Sequence, residues 1–222
     1  MSLKDKAYAI IKDRIVNCYY PPGSFLSERE IIDELGLSRT PFREAANILC
    51  QENLVEIISH KGMFVTGITL KDVVDLYCIR ERLELLALEL ALENIPDDVL
   101  ELHYNIAKAA LEDTSEAQKI AVRDAVQEDE ELHKMLLRYS NNALLVRTME
   151  GIYDHNHRIR VISTEQPGII QITKEQHFAI ISCMHSKDRE AALDAMREHI
   201  TSSKDRALQT ILGSVSMINI KL

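Results

Sequence analysis

Helix-breaking residues constrain this chain more than any other feature, because they are scarce and they fall where elements must end. Five prolines and seven glycines among 222 residues call for long helices with short connections. Tyr20-Pro21-Pro22-Gly23 halts a helix whose apolar stripe is Ala7, Ile10, Ile11, Ile15 and Cys18. Ser27-Glu28-Arg29-Glu30 forms a capping box, with the Ser27 hydroxyl on the Glu30 N–H and the Glu30 carboxylate reaching back. The short helix it opens stops at Gly36. Ser38 is placed to cap a third helix carrying Phe42, Ala45, Ala46 and Leu49, and Pro41 is tolerated in its first turn.

The pattern then changes. Residues 54–58 and 63–66 are short runs rich in β-branched side chains around Ser59-His60-Lys61-Gly62, which predicts a hairpin with Gly62 at positive φ. Gly67-Ile68-Thr69 reads as a linker. A long helix follows to about Asn94 and breaks near Pro96. Helical patterns recur at 97–112, 116–139, 143–162, 174–185 and 188–212, with a loop at Gln166-Pro167-Gly168. The expected fold is mainly α. A winged helix-turn-helix over 1–68 precedes an all-α bundle over 69–222.

Composition narrows the function. Apolar residues at 46% and charged residues at 27% exclude a disordered or collagen-like chain. Cys18, Cys50, Cys78 and Cys183 are scattered without a CxxC pair, which suits free thiols in a reducing cytoplasm. No apolar run reaches the roughly 18 residues of a membrane span, and the N-terminus lacks a secretory pattern. A cytoplasmic protein with no membrane partner is expected. The net charge of -9 argues against nonspecific nucleic-acid affinity of the whole chain. It is uneven, however: residues 1–66 carry a net of only -1 and the remainder -8. Nucleic-acid chemistry therefore belongs to a local basic patch in the first third.

That patch is legible. Residues 37–43 hold Arg39 and Arg43 and no acid. Four positions apart, the two arginines share one face of a helix N-terminal half, where Arg can bond guanine O6 and N7 bidentately. Ser38 and Thr40 can bond phosphate. Arg29 on the preceding helix, and His60, Lys61 and Gly62 on the turn, would flank the groove. An exposed helix with two solvated arginines is the plainer reading of Arg39 and Arg43 alone; the capping box, glycine turn and hairpin in order favour DNA. Pro22 through Glu30 and Leu35 through Ala45 closely resemble the winged-helix domain of GntR-type transcriptional regulators. The resemblance implies DNA contacts at Arg29, Arg39, Arg43 and the turn from His60 to Gly62. The turn is Ser-His-Lys-Gly-Met, poorer in basic residues than many members.

Most histidines lie in the second module. His103, His155, His157 and His185 read as solvated or outer-layer residues. Asp129 and His133, four apart, project from one helix face, while His177 and His199 lie on two later helices. Three helices offering these four side chains could bind a divalent metal, although a solvated acidic face with surface histidines explains the same residues. The run Leu76 through Glu84 is similar to the opening of the FCD effector domain of the FadR subgroup. Asp129, His133, Asn142, Glu175-Gln176-His177 and Ala195 through His199 follow that domain's order. The resemblance implies that Asp129, His133, His177 and His199 ligate a divalent transition metal, Zn first, with Ni, Mn or Fe as alternatives. It also implies a cavity-facing cation at Arg80, which could equally pair with Glu84 on its own helix.

The reading that results is a dimeric DNA-binding transcriptional regulator, not an enzyme. It would bind a pseudo-palindromic double-stranded operator as a homodimer and respond to a small carboxylate metabolite. A metal-responsive sensor is the alternative. A metal-dependent enzyme is the rival from another class, and no HExxH motif, nucleophile elbow or Gly-rich phosphate loop accompanies the metal set.

Overall fold

A computed structural model describes residues 2–112, 122–163 and 168–219. The chain divides into two compact units, Met1–Thr69 with Asp154–Ile159, and Leu70–Tyr153 with Arg160–Leu222. The helical patterns expected over 116–121 and the Gln166-Pro167 part of the loop lie outside the described residues.

The first unit is built from α1 (Leu3–Val16), β1 (Phe25–Leu26), α2 (Glu28–Leu35), α3 (Arg39–Gln51), β2 (Val55–Ile58) and β3 (Gly62–Val65). Helix α1 opens with a capping box of Ser2 and Asp5 that the sequence reading did not single out. It ends one residue before its C-cap, Asn17, so Cys18 lies past the helix at φ 54 rather than on its apolar stripe. Ser27 Oγ accepts from the Glu30 N–H at 3.3 Å, but the return bond from the Glu30 carboxylate is not among the cap's contacts. The expected box is thus half made. Gly36 closes α2 in the left-handed conformation at φ 62, where a side chain would be strained. Ser38 occupies the N-cap position of α3 without a side-chain cap bond, contrary to expectation.

The sheet runs β1-β3-β2, all antiparallel, so the two-residue β1 joins the predicted hairpin as a third strand. Ile11, Ile15, Phe42, Leu49, Leu54 and Val65 are among the most deeply buried side chains of the core between helices and sheet. The hairpin turn needs two positive φ values, His60 at 61° and Gly62 at 109°. Histidine tolerates the left-handed region better than most residues. At Gly62 a Cβ would also stand 2.6 Å from Phe25 Cε2. Gly62→Ala should therefore cost about 1–2 kcal/mol, mostly from the backbone, read as a lower denaturant midpoint at unchanged slope.

The regular elements among the second unit's described residues are all helices: α4 (Leu70–Asn94), α5 (Asp97–Glu112), α6 (Val122–Tyr139), α7 (Ala143–Ser163, of which Asp154–Ile159 group with the first unit), α8 (Ile169–His185) and α9 (Arg189–Asn219). Helix α4 packs on α6 and α9, and α8 on α5 and α9. The buried stripe of α4 reads Val73, Tyr77, Arg80, Glu84, Leu88 and Ala91. Two charged residues thus sit on a face that burial reserves for apolar ones, and each needs a partner there. Asn142 caps α7 through its side-chain oxygen, which accepts from the Leu145 N–H at 3.1 Å. The expected class, mainly α with a winged helix-turn-helix followed by a helical bundle, is the fold observed.

Candidate DNA-reading surface and metal centre

In the first unit, α3 presents Ser38, Arg39, Thr40 and Arg43 to solvent while Phe42, Ala45, Ala46 and Leu49 anchor its other face in the core. Ser38 is spared a capping bond, so its hydroxyl is available beside the free N–H groups of the helix N-terminus. Arg43 Nε lies 3.3 Å from Glu28 Oε1, and Arg29 Nε 3.7 Å from Asp33 Oδ2. Both pairs are exposed and of little worth, so an arriving phosphate or guanine can displace either carboxylate. His60, Lys61 and Gly62 are exposed at the hairpin tip. All eight residues expected to face DNA are at the surface of the first unit.

Two histidines read as solvated or outer-layer are engaged in that unit. His155 Nε2 stands 2.9 Å from the Glu52 carbonyl, and His157 Nε2 3.2 Å from Asn17 Oδ1. His157 is buried, because its helix face is covered; periodicity along a charged stretch gave no warning of that cover.

In the second unit, α6 brings Asp129 and His133, α8 brings His177 and α9 brings His199 to one place. One ligand atom from each lies within 4.8 Å of all the others. Metal–ligand distances of about 2.0–2.2 Å set donor atoms roughly 3–4.3 Å apart, so the group is close to the size of a coordination shell. The ring centroids of the three histidines are 4.7–5.5 Å apart. Asp129, His133 and His199 are buried and His177 is nearly so.

The donor atoms are near one another yet unaligned. His177 Nε2 is 3.2 Å from Asp129 Oδ1 and His133 Nε2 is 3.8 Å from Asp129 Oδ2, but neither makes a hydrogen bond. His199 Nε2 has no hydrogen-bond partner either. Buried polar atoms are seldom left so, and donor atoms this close without hydrogen bonds to one another suit a shared cation. Burial, reinforced by the neighbouring histidines, holds His177 and His199 well below the ordinary imidazole range. Both rings are therefore neutral, as ligation requires.

An outer layer fixes which nitrogen faces inward. His199 Nδ1 donates to Gln176 Oε1 at 3.1 Å, leaving Nε2 for the centre. His133 Nδ1 stands 2.7 Å from Glu84 Oε2, at ion-pair distance though off the hydrogen-bond direction. Glu84 in turn accepts from Arg80 Nε at 2.7 Å, and these charges are buried together. The Arg80 guanidinium, with His133 beside it, outweighs burial and holds the Glu84 carboxyl down to about 2. Sequence reasoning missed Glu84 and Gln176. The signal for Glu84 was its place with Arg80 on the apolar stripe of α4.

Arg80 is not the cavity-facing cation that the resemblance implied. Its guanidinium lies over the Tyr77 ring at 4.8 Å, paired with Glu84, and it does not line the adjoining cavity. That cavity, of about 390 Å³, is bounded by α5, α6, α7 and α8 and has Asp129 and His177 in its wall. The cations lining it are Arg160, whose Nη1 contacts Asp129 Oδ2, and Lys174. Arg160 comes from α7, a helix that carries none of the four candidate ligands, so spacing along the ligand-bearing helices could not reveal it. His103, read as solvated, also lines this cavity.

Comparison with known proteins matches the model described as "FCD domain" over residues 75–202 and "Bacterial regulatory proteins, gntR family" over residues 3–65. The Nta operon transcriptional regulator of Aminobacter aminovorans is 28% identical over 203 residues, covering 91% of this chain and 93% of that protein. An HTH-type transcriptional regulator of Bacillus subtilis, YdhC, is 28% identical over 194 residues, 86% of this chain and 85% of its own. Among solved structures, a GntR transcriptional regulator from Rhodococcus sp. RHA1 superposes with TM-score 0.74 at 19% identity, over 94% of this chain and 99% of that one.

Proposed function

Since this chain belongs to the GntR family of bacterial regulators and carries their FCD domain, and is a DNA-binding transcriptional regulator rather than an enzyme, we propose that a carboxylate bound beside a metal in the second unit sets its affinity for an operator. The observation that carries this reading is the quartet of Asp129, His133, His177 and His199, buried, close and unaligned for hydrogen bonds. Three imidazoles and one carboxylate suit a divalent transition metal, Zn first, with Ni, Mn or Fe also compatible. When bound, the ion supplies positive charge and an open coordination position for an anionic oxygen.

The charges favour an anion as the further ligand. Glu84 is matched by Arg80 and Asp129 by Arg160, while burial keeps His177 and His199 neutral. A divalent ion therefore leaves the site with excess positive charge, and burying that excess is costly unless an anion joins it. Arg160 is at hand to pair with the incoming carboxylate. Its existing contact with Asp129 would then be shared or exchanged, which gives the ligand something to change in the protein.

On the DNA side, Arg39 and Arg43 read base edges, Ser38 and Thr40 bond phosphate, and Arg29 with the tip residues His60, Lys61 and Gly62 flanks the groove. One winged helix reads few base pairs, so a specific operator calls for a homodimer on a pseudo-palindrome. The test is operator binding by the full-length protein in three states: metal-loaded, metal-loaded with carboxylates, and chelator-stripped. The reading expects a carboxylate to change operator affinity by about 5–150-fold only when metal is present. If chelation alone reproduces the full change and no carboxylate adds to it, the ion itself is the signal. An identical response with and without metal would sink the proposal.

A further inference from the structure

The cavity beside the quartet has two chemically different ends. At its buried end lie Asp129 and His177, two of the candidate metal ligands, and Arg160, the cation that pairs with an anion in the proposed function. The rest of its wall is mostly apolar: Ile106, Ala107 and Ala110 of α5, Leu132 of α6, and Ile170 and Ile181 of α8. Leu132 and Ile181 are buried, whereas Ile106 is 56% exposed, so the apolar wall extends outward from the charged end. Lys174 and the exposed Glu131 are the remaining charged side chains of the lining.

Volume adds a second constraint. At about 30 Å³ for each water-sized group, a cavity of about 390 Å³ holds on the order of a dozen non-hydrogen atoms. A two- or three-carbon acid would occupy the charged end and leave the apolar wall wet. A dicarboxylate or tricarboxylate of matching length would set its second charge along Ile106, Ala107, Ala110 and Ile170, where Lys174 is the one further cation of the described lining and Glu131 offsets it, so the wall favours an apolar tail over a second charge.

Resting on the proposed carboxylate reading, we infer that the effector is a monocarboxylate with an apolar tail, about a dozen non-hydrogen atoms in all. Its carboxylate sits at the Asp129–Arg160–His177 end and its tail lies along α5 and α8. Ala107 and Ala110 are the specificity-determining positions, because their short side chains leave the tail its room.

The experiment is calorimetric titration of the zinc-loaded full-length protein with straight-chain monocarboxylates of increasing length, up to about ten carbons, and with dicarboxylates of equal length. Affinity should rise about fourfold per added methylene until the wall is filled. Each dicarboxylate should bind at least tenfold more weakly than its monocarboxylate counterpart. Ala107→Phe should abolish the gain with length while leaving the shortest acids unchanged, and Ala110→Phe serves the same purpose should the first variant fold poorly. Affinity that is flat with chain length, or dicarboxylates that bind as well as monocarboxylates, overturns the tail inference alone. Repeating the titration after chelation separates the two readings, since binding of short acids that persists without metal overturns the proposed function and leaves the length dependence to judge the tail. Failure of every acid to bind overturns both.

Discussion

Replacing His199 with alanine should strip the metal from this protein and lower the melting temperature of its helical unit. His199 is fully buried, with Nδ1 committed to Gln176 and Nε2 turned to the quartet. No other described side chain holds that position, so three ligands remain and the shell is incomplete. Elemental analysis of the wild type should find close to one divalent transition metal per chain, and the variant should retain little of it. Because only the folded state brings α6, α8 and α9 together, the ion stabilises by linkage. At free metal a thousandfold above its dissociation constant the loss is about 4 kcal/mol. His133→Ala and His177→Ala should behave alike. Glu84→Gln is the informative companion: it removes the charge facing His133 without emptying the site, and should weaken metal about 10–100-fold. Residues 1–66 should remain folded and able to bind DNA in all of these. A wild-type chain that is metal-free as purified, with a melting curve unmoved by zinc or chelator, would leave the quartet as buried histidines and nothing more.

The second large effect is expected at the operator. Arg39→Ala and Arg43→Ala should each cost about 1–3 kcal/mol against a selected operator, and together about 2–6 kcal/mol if the two contacts act independently. Arg43 must first leave Glu28, but that exposed pair is worth less than about 1 kcal/mol and does not offset a bidentate guanine contact. Specificity should relax at the bases each arginine reads, while nonspecific binding falls less. Lys61→Ala should act differently, weakening all sequences alike and reducing the salt slope by about one. Competition assays across salt concentrations separate these patterns. Wild-type binding by both arginine variants would show that α3 is not the reading helix.

Much of this was legible along the chain, and the reason is locality. Gly36 ends α2 through its own backbone preference, and Pro21, Pro22 and Gly23, which no helix could cross, lie just beyond the end of α1, so element order followed from them. The stripe Phe42, Ala45, Ala46 and Leu49 is buried as its spacing predicts, and that burial alone turns Arg39 and Arg43 outward. The i, i+4 spacing of Asp129 and His133 likewise put both on one side of α6. Where local rules failed, they failed at ends: Cys18 fell past the C-cap, and Ser38 holds its cap position without making the bond.

Only the tertiary structure decided what those faces meet. Periodicity states which side of a helix is turned inward, but not which neighbour lies across from it. Arg80 thus had two partners open to it, and packing of α4 against α6 set Glu84 between it and His133. The cation lining the cavity came instead from Arg160 on α7, and the outer partner of His199 from Gln176, 23 residues away on another helix. The cavity itself has no signature in sequence, because its walls belong to four helices and its volume is what their side chains fail to fill. A buried charge or an unfilled space is settled by the sum of long-range contacts, and those exist only once the helices have packed.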